Sequence, residues 1–207
     1  MTVFRNMLAA AVLAVAPVAA TAGPVDIAPV GETTVEVEVA LLEALGLGGA
    51  PTGTATAERL PDATTPTSVL FSFDITGGQI FDSGNAIIEH DGSGVRLFAA
   101  ADTSIGAEVG NFVIDTELAT VFGNVNGGTD SVDLFNFGTP DAAGIPLLIS
   151  ENLADALGSV FGADPEALAG AQFAVANTAP SPVPLPAGLP LLAAGLAAFA
   201  FVRRRAA

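Results

Sequence analysis

Cysteine, lysine, tryptophan and tyrosine are all absent from this chain of 207 residues, and it carries one histidine, His90. Without cysteine there is no disulfide framework, no thiolate metal site and no cysteine nucleophile. Without lysine there is no Schiff-base chemistry. A single imidazole excludes a poly-histidine metal site and a histidine-paired acid–base system. The six basic residues are all arginine, and three of them close the chain as Arg203, Arg204 and Arg205. The clustered cations that grip a phosphate backbone are missing, so nucleic acid is not an expected partner.

What the chain has instead is apolar bulk and negative charge. Hydrophobic residues make up 51% of it, which is enough for one good core without covalent staples. All 22 Asp and Glu lie between Asp26 and Glu166, where the only counter-charges are Arg59 and Arg96. Residues 23–182 therefore carry a net −20. Such a body stays soluble, repels anionic polymers and suits saline surroundings, where salt screens its self-repulsion. Its carboxylates also suggest divalent cations, because Ca²⁺ takes oxygen ligands.

The two ends read as addresses. Arg5, the apolar stretch Met7 to Val15, and the small-residue site Ala20-Thr21-Ala22 are the parts of a secretory signal peptide, cleaved after Ala22. This implies the Sec translocon and signal peptidase as partners. At the other end, residues 177–182 read as a Pro/Ser/Thr/Ala linker. Val183-Pro184-Leu185-Pro186-Ala187 follows, then the apolar run Gly188 to Val202 and the arginine cluster. An apolar helix followed by three arginines stops translocation and holds that end in the cytoplasm. The run is short of the roughly 20 residues of a full span, with the proline segment supplying interfacial length.

The tail resembles the VPLPA variant of the PEP-CTERM sorting signals on exported proteins of Gram-negative bacteria. That resemblance implies recognition and cutting by an exosortase-type membrane transpeptidase. The protein would be held briefly in the inner membrane and then passed to the cell surface or beyond. The domain plan expected is thus a signal peptide over 1–22, an acidic domain over 23–176, a linker over 177–182 and a sorting signal over 183–207.

Within the acidic domain a period of two dominates. Thr33 to Val39 sets Val35, Val37 and Val39 against Thr34, Glu36 and Glu38, and Ser68 to Ile75 aligns Val69, Phe71, Phe73 and Ile75. Shorter strands are expected over 86–90, 94–99, 108–115 and 131–137. Turns are expected at Asp91-Gly92-Ser93-Gly94 and across Asn124 to Asp130. Many short strands argue for an antiparallel sandwich or barrel, and the expectation chosen is an all-β fold, an antiparallel β-sandwich with one or two short helices. Glu151 to Phe161 fits the helical period, with Ser150 or Asn152 as cap and Gly162 as stop. Asp164-Pro165-Glu166 opens a further turn, and Ala40 to Leu45 is a shorter candidate. Val39 to Gly46 and Glu151 to Gly158 share a strand, helix, glycine, strand pattern that suggests two related corners.

Chemistry-bearing constellations are sparse. His90 ends an expected strand, and a neutral imidazole can ligate a metal or a haem. Ser93 nearby does not make a triad, since no Gly-x-Ser-x-Gly surrounds it. The stretches Phe73 to Ile80, Ala86 to Leu97 and Asn111 to Thr116 resemble the haem-transport-associated domain of bacterial surface proteins. That resemblance implies a sandwich and haem binding. The family ligates haem through tyrosine with a nearby histidine, and with no tyrosine here His90 alone would serve. Asn124, Asn126, Asp130 and Asp133 around Gly127-Gly128 form the best candidate cation loop. No nucleophile, base and orienting group can be written together. The expectation is a non-enzymatic surface or matrix protein without a cofactor, the alternative being a surface module that binds haem or Ca²⁺.

Overall fold

The structure, a computed structural model, describes residues 23–60 and 67–183. The expected signal peptide, and all of the expected sorting signal except Val183, lie outside the described residues.

Alternating burial explains the strands. After a two-residue strand β1 (Val25–Asp26), strand β2 (Glu32–Glu38) buries Thr33 and Val37 and turns Glu32, Glu36 and Glu38 to water. Helix α1 (Val39–Ala44) interrupts it one residue earlier than expected. The chain continues through β3 (Leu47–Gly53), β4 (Thr56–Leu60), β5 (Ser68–Asp74) and β6 (Gly77–Ile80). Two long strands follow, β7 (Ala86–Ala99) and β8 (Asp102–Asp115), then β9 (Thr120–Val125), β10 (Val132–Phe137) and β11 (Ile145–Ile149). Helices α2 (Glu151–Phe161) and α3 (Pro165–Leu168) lead into β12 (Gln172–Thr178).

The all-β antiparallel expectation holds. All pairings between named strands are antiparallel. The strands share one hydrogen-bonded order, β1-β6-β7-β8-β9-β10-β11-β12-β2-β5-β4, with β3 also on β7. This single sheet curls so that its own inner face supplies the core. Ile75, Ile88, Leu134 and Leu153 are among the most buried side chains, and Phe73 meets Phe112 edge to face at 5.0 Å between ring centres.

One expected turn is a bend instead. Asp91-Gly92-Ser93-Gly94 does not reverse the chain, and the strands expected over 86–90 and 94–99 are two halves of β7. The register with β8 slips between His90 and Gly94. Gly92 takes φ +74°, and its N–H donates to Asn111 Oδ1 at 2.7 Å; Asn111 has φ +50°. Two glycines then let the strands cross closely, because a Cβ on Gly94 would lie 2.6 Å from the Val109 carbonyl oxygen. A bulge with extra twist results. It allows β7 to pair with β6 along its first half and with β3 along its second.

Helix α2 follows its sequence signals. Ser150 Oγ accepts from the Leu153 N–H at 3.0 Å and donates to the Asp133 carbonyl at 2.7 Å, and Gly162 closes the helix at φ +71°. Asp164 caps α3 by accepting from the Glu166 N–H at 3.1 Å. Because Ser150 is 1% exposed, Ser150→Ala removes the cap and leaves the Asp133 carbonyl without this donor. We expect a loss of about 1–3 kcal/mol. Thermal unfolding followed by circular dichroism should show the midpoint falling by roughly 3–10 °C. The two corners that look alike in sequence part company: β3 leaves α1 to join β7, whereas β12 returns beside β11.

The residues read as a linker are partly built into the sheet. Asn177 and Thr178 belong to β12, opposite Thr34 and Thr33. Beyond them the Ala28 N–H donates to the Ser181 carbonyl at 2.8 Å, and the Val183 N–H donates to the Asp26 carbonyl at 2.9 Å. Ile27 and Pro182 form an antiparallel bridge between these bonds. On its other side the Ile27 N–H reaches the Gly78 carbonyl at 2.9 Å, and the Ile27 side chain is buried. The first and last described segments therefore meet at one corner of the sheet.

Candidate functional site

His90 lies at the end of the first half of β7, just before the bulge, and the strand pleat turns its ring into the curled sheet. It is 1% exposed. Its Nε2 lies 2.7 Å from Thr33 Oγ1 on β2, and Thr33 Oγ1 lies 2.8 Å from Thr178 Oγ1 on β12. Nε2 and Thr33 Oγ1 share one hydrogen bond in which either partner can donate, because the Thr33 and Thr178 hydroxyls can exchange donor and acceptor roles. Nδ1 is buried and has no hydrogen-bond partner. The Ser93 hydroxyl turns to the His90 carbonyl at 3.0 Å, closing the bulge, and does not address the ring.

Burial pushes the His90 pKa below its ordinary value; the Phe112 backbone beside the ring and the charge of Asp91 oppose this more weakly. The ring is a neutral hydrogen-bonding group inside an apolar wall. It borders a cavity of about 70 Å³ with Val35, Phe73, Val109, Phe112 and Phe173 among its walls. Leu42 from α1 and Leu153 from α2 also reach it, so both helices contribute to its lining. A space of this size is far too small for a porphyrin in the conformation shown.

The residues of the candidate cation loop take separate structural roles. Asn126 and Gly127 have φ of +51° and +68°, and the Gly128 N–H returns to the Val125 carbonyl at 3.0 Å. This is a tight Asn-Gly β-turn with both central φ positive, set inside a longer connection, since β10 rejoins β9 only where Val132 faces Gly123. Asn126 Oδ1 accepts from the Glu108 N–H at 3.0 Å. Asn124, expected in a turn, belongs to β9, a strand not expected from the sequence, while Asp130 stands exposed after the turn. The Asp133 carboxylate accepts from Asn152 Nδ2 at the start of α2. Among the described residues, no three His, Cys, Asp or Glu come together in a way that could hold a metal ion.

Of the sorting residues, Val183 alone is described; it is 40% exposed and held by Asp26 through its backbone. Ala20, Ala22, Pro184, Leu185, Pro186, Ala187 and Arg203 to Arg205 lie outside the described residues. No helix among the described residues is long and apolar enough to cross a membrane. Thr33 and Thr178 escaped the sequence reading. The signal that could have found Thr33 is a hydroxyl residue on the buried side of the β2 alternation. No protein-family model, curated protein or solved structure matches this chain.

Proposed function

We propose that this chain is an exported, non-enzymatic display or assembly protein of the cell surface or extracellular matrix. Its signal peptide takes it through the Sec translocon, and an exosortase-type transpeptidase removes its tail after a brief stay in the inner membrane. We read its curled sheet as a sandwich of two facing halves, divided at the bend in β7. The observation that supports this reading best is the pairing of residues 26–28 with residues 181–183. It brings the point just after Ala22 and the point just before Pro184 to one corner of the fold. A body entering and leaving the membrane surface at one corner can fold with either end tethered, and the rest of its acidic surface faces outward. Acidic side chains standing clear of the sheet, such as Glu32, Glu36 and Glu38, fit a solvated, displayed surface.

The proline segment supplies the test. Pro184 and Pro186 each lack an N–H donor and restrict φ, a sequence that predicts an extended segment before the apolar run. A plain anchor depends on apolar length and the arginine stop, and tolerates loss of both prolines. A processing signal does not. Pro184→Ala with Pro186→Ala should leave export intact and trap the full-length precursor in the inner membrane. Mass spectrometry of the mature wild-type protein should find a C-terminus within residues 183–187. Mature protein ending at Ala207 would overturn this reading and leave an ordinary membrane anchor.

A further inference from the structure

We propose that residues 26–28 are a guard strand for the processing signal. While residues 181–183 lie on them, the transpeptidase cannot grip the chain beside its cut, so tail removal requires this short segment to lift away. The inference rests on the processing reading above and adds a control to it. Three features carry it. The Ala28 N–H donates to the Ser181 carbonyl at 2.8 Å and the Val183 N–H to the Asp26 carbonyl at 2.9 Å, with Ile27 and Pro182 bridged between them. Ser181, Pro182 and Val183 are all exposed. Prolines stand at 180, 182, 184 and 186, every second residue.

The ladder decides which edge each residue presents. In an antiparallel pair, successive residues turn their N–H and C=O groups to opposite sides. Ile27 turns its N–H to Gly78 in β6, so Asp26 and Ala28 turn theirs the other way, to Val183 and Ser181. Pro182, between those two, turns to the outer edge. There it offers a carbonyl and no N–H. Among the described residues no strand pairs with that edge. An enzyme that holds an extended chain as an added strand draws on the main-chain N–H and C=O groups flanking the cut. On the docked segment the Val183 N–H is already given to Asp26, and the outer edge supplies none at Pro182. The residues just before the processing signal are thus withheld until they leave the sheet.

The segment can lift at little cost. No side chain of 181–183 is buried, so its departure uncovers little apolar surface, and its two hydrogen bonds exchange for bonds to water. The strand beneath it stays. Ile27 is buried and bonded to Gly78, and Val25 and Asp26 are paired with Ile80 and Gln79. Opening therefore frees one edge of residues 26–28 without unravelling the corner. A strand of the enzyme then takes the place at Ser181 and Val183 that residues 26–28 held. The same closure keeps this stretch of the precursor from proteases that cannot displace the guard.

The chain has no cysteine, so a disulfide can be placed here without competing thiols. Facing residues hydrogen-bonded across an antiparallel pair have Cα atoms about 5.5 Å apart, within the reach of a disulfide. Ala28→Cys with Ser181→Cys ties the segment down and leaves residues 183–187 untouched; Asp26→Cys with Val183→Cys is the second lock. Each full-length double variant, its single variants and the wild type are expressed in cells that carry the transpeptidase. Mass spectrometry then reads the disulfide and the C-terminus. The locked precursor should accumulate with Ala207 in place and lose its mature form, while the single variants are processed like the wild type. Dithiothreitol should restore tail removal. Four results would overturn the proposal: locked protein that matures at the wild-type rate, single variants that stall as the lock does, a block that persists after reduction, or a folded precursor in which neither pair forms a disulfide. A wild type that itself keeps Ala207 overturns the processing reading instead, whereas a locked variant that matures beside a processed wild type overturns the guard alone.

Discussion

Gly78→Ala should lower the unfolding midpoint by roughly 5–15 °C and release both ends of the fold. Gly78 sits in β6 with φ +126°, a conformation that residues with a Cβ rarely adopt. An added Cβ would lie 2.0 Å from the Ile87 carbonyl oxygen, an atom of the β7 backbone that cannot step aside without breaking the β6–β7 ladder. Backbone strain of this kind costs on the order of 1–3 kcal/mol, and the steric clash adds to it. For a chain of this size each kcal/mol moves the midpoint by roughly 2–4 °C. The effect spreads because the Gly78 carbonyl accepts from the Ile27 N–H, and residues 26–28 in turn hold residues 181–183. Hydrogen exchange should find the amides of Ile27, Ala28 and Val183 protected in the wild type and fast in Gly78→Ala. Gly84→Ala is the control, since its Cβ would meet nothing within 4 Å although its φ is also positive. It should cost markedly less and leave the terminal amides protected. Equal damage from the two variants would show that the close approach at Gly78 is not what holds this corner.

The parts of this fold that were legible in the sequence are those set by local chemistry. Helix α2 could be read with both ends because Ser150 and Gly162 act within a turn of it. Strands β2 and β5 were legible because each alternates across one buried face, whereas β10 departs from alternation at its bulge, where Leu134 and Phe135 are both buried. The bulge in β7 was not, because Asp91-Gly92-Ser93-Gly94 has the composition of a turn. What makes it a bend is Asn111 on the neighbouring strand, which takes the Gly92 N–H. Strand β9 was obscured for a related reason: the turn residues Asn126 and Gly127 sit so close behind Asn124 that the whole segment reads as loop. The candidate site was half legible. His90 stood out as the lone imidazole, but its surroundings come from Thr33, 57 residues away, and Thr178, a further 145 beyond Thr33. No local pattern can bring such residues together. The same holds for residues 181–183, whose linker-like composition says nothing of the partner strand that pins them.

Acid should destabilise this protein through His90, against the trend set by its carboxylates. The folded state holds the ring neutral, and burial sets its pKa below the ordinary 6.5. The unfolded chain takes up its proton at the ordinary value, so below pH 6.5 the unfolded state binds more protons than the folded one. The sign is therefore fixed: stability is full above pH 6.5 and falls as pH drops, by up to about 1.4 kcal/mol per pH unit until the folded pKa is reached. Geometry explains the cost. A protonated ring would carry an N–H on Nδ1, where no acceptor is in hydrogen-bond geometry. Thr33 already occupies Nε2, the Phe112 backbone lies beside the ring, and Asp91 supplies the nearby negative charge from an exposed position. Protonating the acidic surface relieves the repulsion of a net −20 body and acts in the opposite direction, so the wild-type curve alone mixes two effects. His90→Gln removes the titrating ring and leaves the surface charge unchanged. With no tryptophan or tyrosine to report by fluorescence, urea unfolding is best followed by far-ultraviolet circular dichroism. Between pH 7 and pH 5 the wild type should lose more stability than the variant at matched ionic strength, up to a ceiling of about 2 kcal/mol set by the unfolded pKa. Parallel curves for the two proteins would mean that the ring takes its proton as easily folded as unfolded, and that the interior around it is open to water.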